Sequence, residues 1–107
     1  MGSTEEHQEL VKKILIKFGS GSDYRLWPNN TGKAFRGGRL LSFGLKGSAD
    51  IMGLRKDGRL VAIEVKTGKA KQNKDQINFM NMVRSFNGIY ILARSVEEVE
   101  FSLEMEF

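Results

Sequence analysis

The chain has 107 residues, no cysteine, and a net charge of +4 from 17 Lys+Arg against 13 Asp+Glu. Such a length holds one domain, residues 1–107, with one modest core. The missing thiol excludes disulfides, thiolate metal sites and cysteine nucleophiles, and it fits a reducing cytoplasmic setting. No apolar run is long enough to span a membrane, and the Met-Gly-Ser opening carries no signal-peptide pattern.

The charge is unevenly spread. Residues 23–74 hold twelve basic and four acidic side chains, a net +8, whereas the last thirteen residues hold five glutamates and no base. This distribution suits a polyanion-binding face and equally suits an ordinary solvated surface.

In chain order, Ser3 to Glu6 forms a capping box that starts a helix. Leu10, Val11, Ile14, Leu15 and Phe18 follow at helical spacing until Gly19-Ser20-Gly21-Ser22 stops them. His7 lies near the middle of that apolar stripe and is expected to be a packed histidine. Tyr24-Arg25-Leu26-Trp27 reads as a short strand, with Trp27 a core or loop anchor rather than a stacking platform. Pro28-Asn29-Asn30-Thr31-Gly32 is turn chemistry, and Arg39-Leu40-Leu41-Ser42-Phe43 forms another strand. The glycines of the connecting loops, Gly37, Gly38, Gly44 and Gly47, permit close approach of a ligand or simply make turns.

Ile51 to Leu54 and Leu60 to Lys66 form a hairpin around Lys56-Asp57-Gly58. A two-residue loop sets Asp50 opposite Val65. A three-residue loop, with Gly58 left-handed, sets Arg55 opposite Arg59 and Asp50 opposite Glu64. The second register gathers Asp50, Glu64 and Lys66 on one face and is the one predicted. Met52, Leu54, Leu60 and Ala62 line one side of the hairpin, and Ile51, Val61, Ile63 and Val65 the other. Two apolar faces place these strands centrally in a sheet covered by helices on both sides. A helix over about residues 75–86 carries Gln76, Phe79, Met80 and Val83 on one stripe and ends at Asn87-Gly88. Ile89-Tyr90-Ile91-Leu92-Ala93 is a buried strand. Ser95-Val96-Glu97-Glu98 is a second capping box, yet Val99, Phe101, Leu103, Met105 and Phe107 alternate as in a strand. The reading for this tail is a short helical turn and then an edge strand, which serves as a dimerisation element.

Charges inside apolar strands are costly unless something pairs with them. Glu64-x-Lys66 alone is an ordinary surface pair. Here its strand is too apolar to be solvated, Asp50 converges from the neighbouring strand, and Lys69, Lys71 and Lys74 follow before Gln76 enters on the sheet-facing stripe. Two carboxylates and an intervening backbone carbonyl make an all-oxygen site suited to Mg²⁺ or Mn²⁺. Such an ion polarises a phosphoryl oxygen and activates water. The Lys66 ammonium suits stabilising the developing anion better than abstracting a proton. The base is then metal-bound hydroxide or a substrate phosphate.

Asp50…Glu64-x-Lys66 with Gln76 resembles the PD-(D/E)XK nuclease superfamily. Within it, Leu26 to Ser95 resembles a stand-alone VRR-Nuc domain of the phage and bacterial type, through "LWPNNTG", "FGLKGSADIMG", "GRLVAIEVKTGKAK", Gln76 and "GIYILARSVEE". These stretches cover roughly two-thirds of the chain. The resemblance implies an α/β fold with a restriction-endonuclease-like core, a central mixed β-sheet flanked by helices. It implies that Asp50 and Glu64 hold the metal with the carbonyl of Val65, that Lys66 is the catalytic lysine, and that Gln76 assists at the phosphate or metal-bound water. It further implies a homodimer acting on Holliday junctions. Ala49 stands where the motif has proline. The metal-associated glutamate that relatives carry on the first helix, upstream of an amide resembling Gln8, is matched to Glu5, with Glu6 as the alternative. Asn30, Lys33, Arg36, Arg39, Lys46, Lys69, Lys71 and Lys74 are candidates for DNA contact, and together they imply salt-sensitive binding. The function expected is a metal-dependent DNA endonuclease selective for branched DNA; the alternative is a DNA-binding module that keeps the fold without the activity. No base-reading module is visible, so shape and backbone recognition is expected.

Overall fold

The hairpin that carries the candidate chemistry adopts the three-residue register. Helix α1 (Thr4–Phe18) is followed by strands β1 (Tyr24–Pro28), β2 (Gly32–Arg36), β3 (Arg39–Phe43), β4 (Ile51–Arg55) and β5 (Leu60–Val65), then α2 (Lys74–Ser85), β6 (Ile89–Ala93) and α3 (Val96–Met105). This computed structural model describes residues 4–29 and 32–106, with only the backbone of residues 32–36 and 40–43. Between β4 and β5, Ile51 pairs with Ile63 and Leu54 with Leu60. Arg55 N–H donates to the Arg59 carbonyl at 2.9 Å, and Gly58, at φ +91°, accommodates the left-handed turn position. Extended by one residue, the same register sets Asp50 opposite Glu64.

The main sheet has four strands in the order β1-β4-β5-β6. β1, β4 and β5 run antiparallel in turn, and β6 joins β5 in parallel through the α2 crossover. The result is a mixed sheet with helices on both faces, as expected. On one face Ile51, Val61, Ile63 and Val65 pack with Ile14 of α1 and with Val99 and Leu103 of α3. On the other, Ala62 and Tyr90 pack with Phe79 and Val83 of α2, with Met52 and Leu60 at the margin. Leu54 and Trp27 differ from expectation: they stay 47% and 44% exposed.

Two elements depart from the sequence reading. The segment before the third strand is itself a strand, β2, which pairs with β3 as a separate two-stranded sheet. Gly37 and Gly38, at φ +58° and +74°, close it by a two-residue turn between Arg36 and Arg39. The tail is helical rather than an edge strand. Ser95 caps α3, accepting the Glu98 N–H at 3.1 Å, and the Glu98 carboxylate accepts the Arg94 N–H at 2.7 Å. An alternating pattern also contains four-residue spacings, so Val99 and Leu103 turn inward while Phe101 and Met105 stay 59% and 69% exposed. Capping decided between the two periodicities, and the dimerising edge strand is not formed.

At the end of α2, Asn87 adopts φ +65°, with Asn87 N–H donating to Arg84 and Gly88 N–H to Val83, which is the Schellman arrangement. Among the described residues, no helix is long and apolar enough to cross a membrane.

Candidate active site

Asp50 sits just before β4, and three neighbours set its position. Its backbone carbonyl accepts the Asn29 N–H at 2.8 Å, and the Asn29 side-chain amide donates to Ser48 Oγ at 2.8 Å and to the Ala49 carbonyl at 2.9 Å. The loop before it lies against the first turn of α2. Gly47, at φ +79°, makes that approach possible, since a Cβ there would stand 2.3 Å from the Asp75 carbonyl. The Asp50 carboxylate then accepts the Val65 N–H at 2.8 Å through Oδ2. Here a side chain replaces the backbone ladder at the open end of the hairpin.

The same Oδ2 lies 3.2 Å from Nε2 of His7, a hydrogen bond in the Nε2–H tautomer. The sequence reading expected His7 to pack within the apolar stripe, and the structure adds a polar partner on a distant segment. The ring is half-buried and spends its polar atom on Asp50, bridging the first helix to the hairpin.

Glu64 is the sole charged residue among the fully buried ones described, at 3% exposure. Gln76 Nε2 donates to its Oε2 at 2.8 Å, and Lys66 Nζ stands 3.5 Å from the same oxygen. The Gln76 amide cannot turn freely. Its Oε1 accepts the Asn73 N–H at 2.9 Å while Asn73 Oδ1 accepts the Gln76 N–H, a reciprocal cap that leaves the NH₂ group facing Glu64. Lys66 is pinned by its own N–H, which donates to the Ala93 carbonyl at 3.0 Å.

Burial, and next the neighbouring Asp50 charge, push the Glu64 carboxyl up to about 7, with Lys66 partly offsetting them. Burial likewise pushes the Tyr90 phenol up to about 12, so Tyr90 stays protonated and is no base. Its oxygen accepts from Gln72 Nε2 at 3.1 Å.

The hairpin and α2 thus bring Asp50, Glu64, Lys66 and Gln76 together, with the Val65 N–H on Asp50. Glu5 does not join them. It is exposed and lines a shallow groove with Glu6, Glu9, Leu10 and Lys13. Two helical positions separate it from His7, about 200° around the axis, so a helix that aims His7 at Asp50 aims Glu5 away. Among the described residues, no group of three or more His, Cys, Asp and Glu gathers as a ready metal cage.

Of the basic candidates, Arg39, Lys46, Lys69, Lys71 and Lys74 are exposed. Lys46 Nζ stands 3.6 Å from Asp75. Asn30 and the side chains of Lys33 and Arg36 lie outside the described residues. The loop carrying Lys69 and Lys71 is held by Arg94, whose guanidinium donates to the Gly68 carbonyl at 3.3 Å and the Ala70 carbonyl at 2.7 Å. Asn29 and Arg94 were missed as positioning residues, because a turn asparagine and an exposed arginine carry no local mark of their distant partners. Two arginines counted in the basic section are committed elsewhere: Arg55 pairs with Asp57 at 3.1 Å and Arg59 with Glu106 at 3.0 Å.

A scan against protein-family models and a search of the curated proteins both returned no match.

Proposed function

We propose that this protein is a metal-dependent endonuclease of the PD-(D/E)XK type, similar to stand-alone VRR-Nuc domains, that hydrolyses phosphodiester bonds in branched DNA such as four-way junctions. The observation that carries this reading is the hairpin register, which faces Asp50 with Glu64 across two strands and puts Lys66 beside them. An ordinary buried ion pair needs only one carboxylate and one cation. Here a second carboxylate stands close enough to raise the first.

The donor set fits Mg²⁺ or Mn²⁺. Both carboxylate side chains come from backbone held on both sides, and hard divalent ions are commonly held by one or two carboxylates, water and substrate phosphate rather than by an all-protein cage. A cation there would also offset the Asp50 repulsion that adds to burial in raising Glu64. When bound, the ion would polarise the phosphoryl oxygen and activate water.

The chain's own groups do the rest. Val65 N–H and His7 orient Asp50; Gln76, locked by its cap, orients Glu64. The Lys66 ammonium, 15% exposed, offers positive charge to a phosphate whose negative charge grows during attack. Exposed Lys69, Lys71 and Lys74, on the stretch that leads from Lys66 into α2, supply sequence-independent attraction for the backbone. A homodimer belongs to the same reading, since paired cuts across a junction need two sites.

The test is a cleavage panel of duplex, flap, fork and four-way junction with Mg²⁺ or Mn²⁺, comparing wild type with Lys66→Ala. Metal-dependent nicking lost in the variant, with DNA binding largely kept, supports the enzyme. Binding without nicking by either protein favours the non-catalytic DNA-binding module.

A further inference from the structure

A groove of about 530 Å³ runs along α1 and opens onto Asp50. Val11, Leu15 and Ile16 of α1 and Pro28 at the end of β1 form its apolar walls, His7, Asn29 and Asp50 stand at the site end, and Gln8 and Lys12 add polar groups from α1. The volume lies within the range of small-molecule sites. Its make-up is that of a surface with an apolar floor and a charged edge. Ile16 is 75% exposed, so its side chain is open to a ligand in the groove.

Resting on the nuclease reading, we infer that this groove receives one unpaired nucleoside flanking the phosphate to be cut. The continuity of the groove with Asp50 commits it to that occupant. A phosphate met by Lys66 and by a cation on Asp50 and Glu64 would carry a nucleoside on each side, and the surface bordering Asp50 towards α1 is this groove. The apolar walls accept a base face, the Gln8 amide is the polar group left to meet a base edge, and Lys12 meets the next phosphate. A base stacked within a duplex is kept out of such a groove by its neighbours. A base at a junction, flap or fork leaves the stack at lower cost. The groove therefore selects DNA with an unpaired nucleotide at the cut, and it gives shape selectivity a location.

The experiment uses the full chain. The cut position on a fork is first mapped with wild type, and the adjoining base is then replaced by 2-aminopurine, which is dark when stacked and bright when unstacked. Binding is read with Lys66→Ala protein and Mg²⁺ so that the strand stays whole. The expected result is brightening on binding. It should be lost when Ile16→Glu is added, with affinity for the fork falling about ten-fold or more, the scale of one buried aliphatic side chain. Affinity for fully paired duplex should fall no further than with Phe101→Glu, a matched exposed site on α3. Ile16→Ala should give an intermediate loss, and neither Ile16 change touches the core. A wild type that cuts while the probe stays dark, or equal losses on fork and duplex, overturns this inference alone. A wild type that cuts nothing overturns the nuclease reading and this inference with it.

Discussion

Strand β5 shows two different faces to the two helical layers that cover it. Towards α1 and α3 it presents Val61, Ile63 and Val65, all wholly buried and apolar to the end of the strand. Towards α2 it presents Leu60 and Ala62, then changes to Glu64, with Lys66 just past its end. The first face does nothing but pack. The second keeps a carboxylate at 3% exposure opposite another acid, an arrangement that burial and charge both oppose. The contrast separates what holds the fold from what the fold holds. A strand can carry two charges at one end because its reverse side is continuous core.

The sharpest way to break that comparison is Lys66→Ala. Nicking of a four-way junction should fall about 10²-fold or more, the scale of removing one positioned transition-state donor, and DNA affinity should change little. Equal nicking by variant and wild type in that assay would leave the charged face without a catalytic role. Ile63→Ala tests the other face. It should cost about 2–5 kcal/mol in urea unfolding, as for buried large-to-small changes, with the nicking rate per folded molecule retained.

A pH series sharpens the comparison further. Glu64 has its carboxyl raised from 4.5 to about 7, so the folded chain holds a proton that the unfolded chain releases in that window. Stability from this group is fully present below about 4.5, declines as pH rises, and levels off above about 7. Glu64→Gln should remove the slope, and Mg²⁺ should raise the melting temperature more at pH 8 than at pH 5. Parallel curves for variant and wild type, or a metal effect independent of pH, would contradict the raised carboxyl. The smallest effect is expected at Gln76. Gln76→Ala should lower stability by about 1 kcal/mol, the scale of one cap or hydrogen bond. Gln76→Glu keeps the cap bond but sets a carboxylate against Glu64, so its unfolding midpoint should drop more at pH 8 than at pH 5.

The legible parts of the molecule were those decided over a few residues. Gly58 at the third loop position determined the hairpin register, and strand parity then put Asp50, Glu64 and Lys66 on one face. Gln76 was placed by the phase of α2, and Asn87-Gly88 marked its end. The tail was misread because alternation and four-residue spacing coincide there, and only the Ser95 cap and the burial of Val99 and Leu103 separate them. Strand β2 was missed because turn residues dominate its approach. Glu5, matched by resemblance, points into a different groove from the one His7 borders.

From its residues alone, the chain determined a helix-covered sheet, a hairpin of defined register and two carboxylates with a lysine at its open end. Those features depend on turn geometry and on the two-residue and 3.6-residue repeats, which act locally. Only the tertiary structure decided that His7 reaches Asp50 from 43 positions away, that Asn29 clamps Ser48 and Ala49, and that a groove opens between α1 and β1. Those pairings depend on how separate layers stack against one another, and a hydrogen bond between distant segments leaves no periodic trace in either of them.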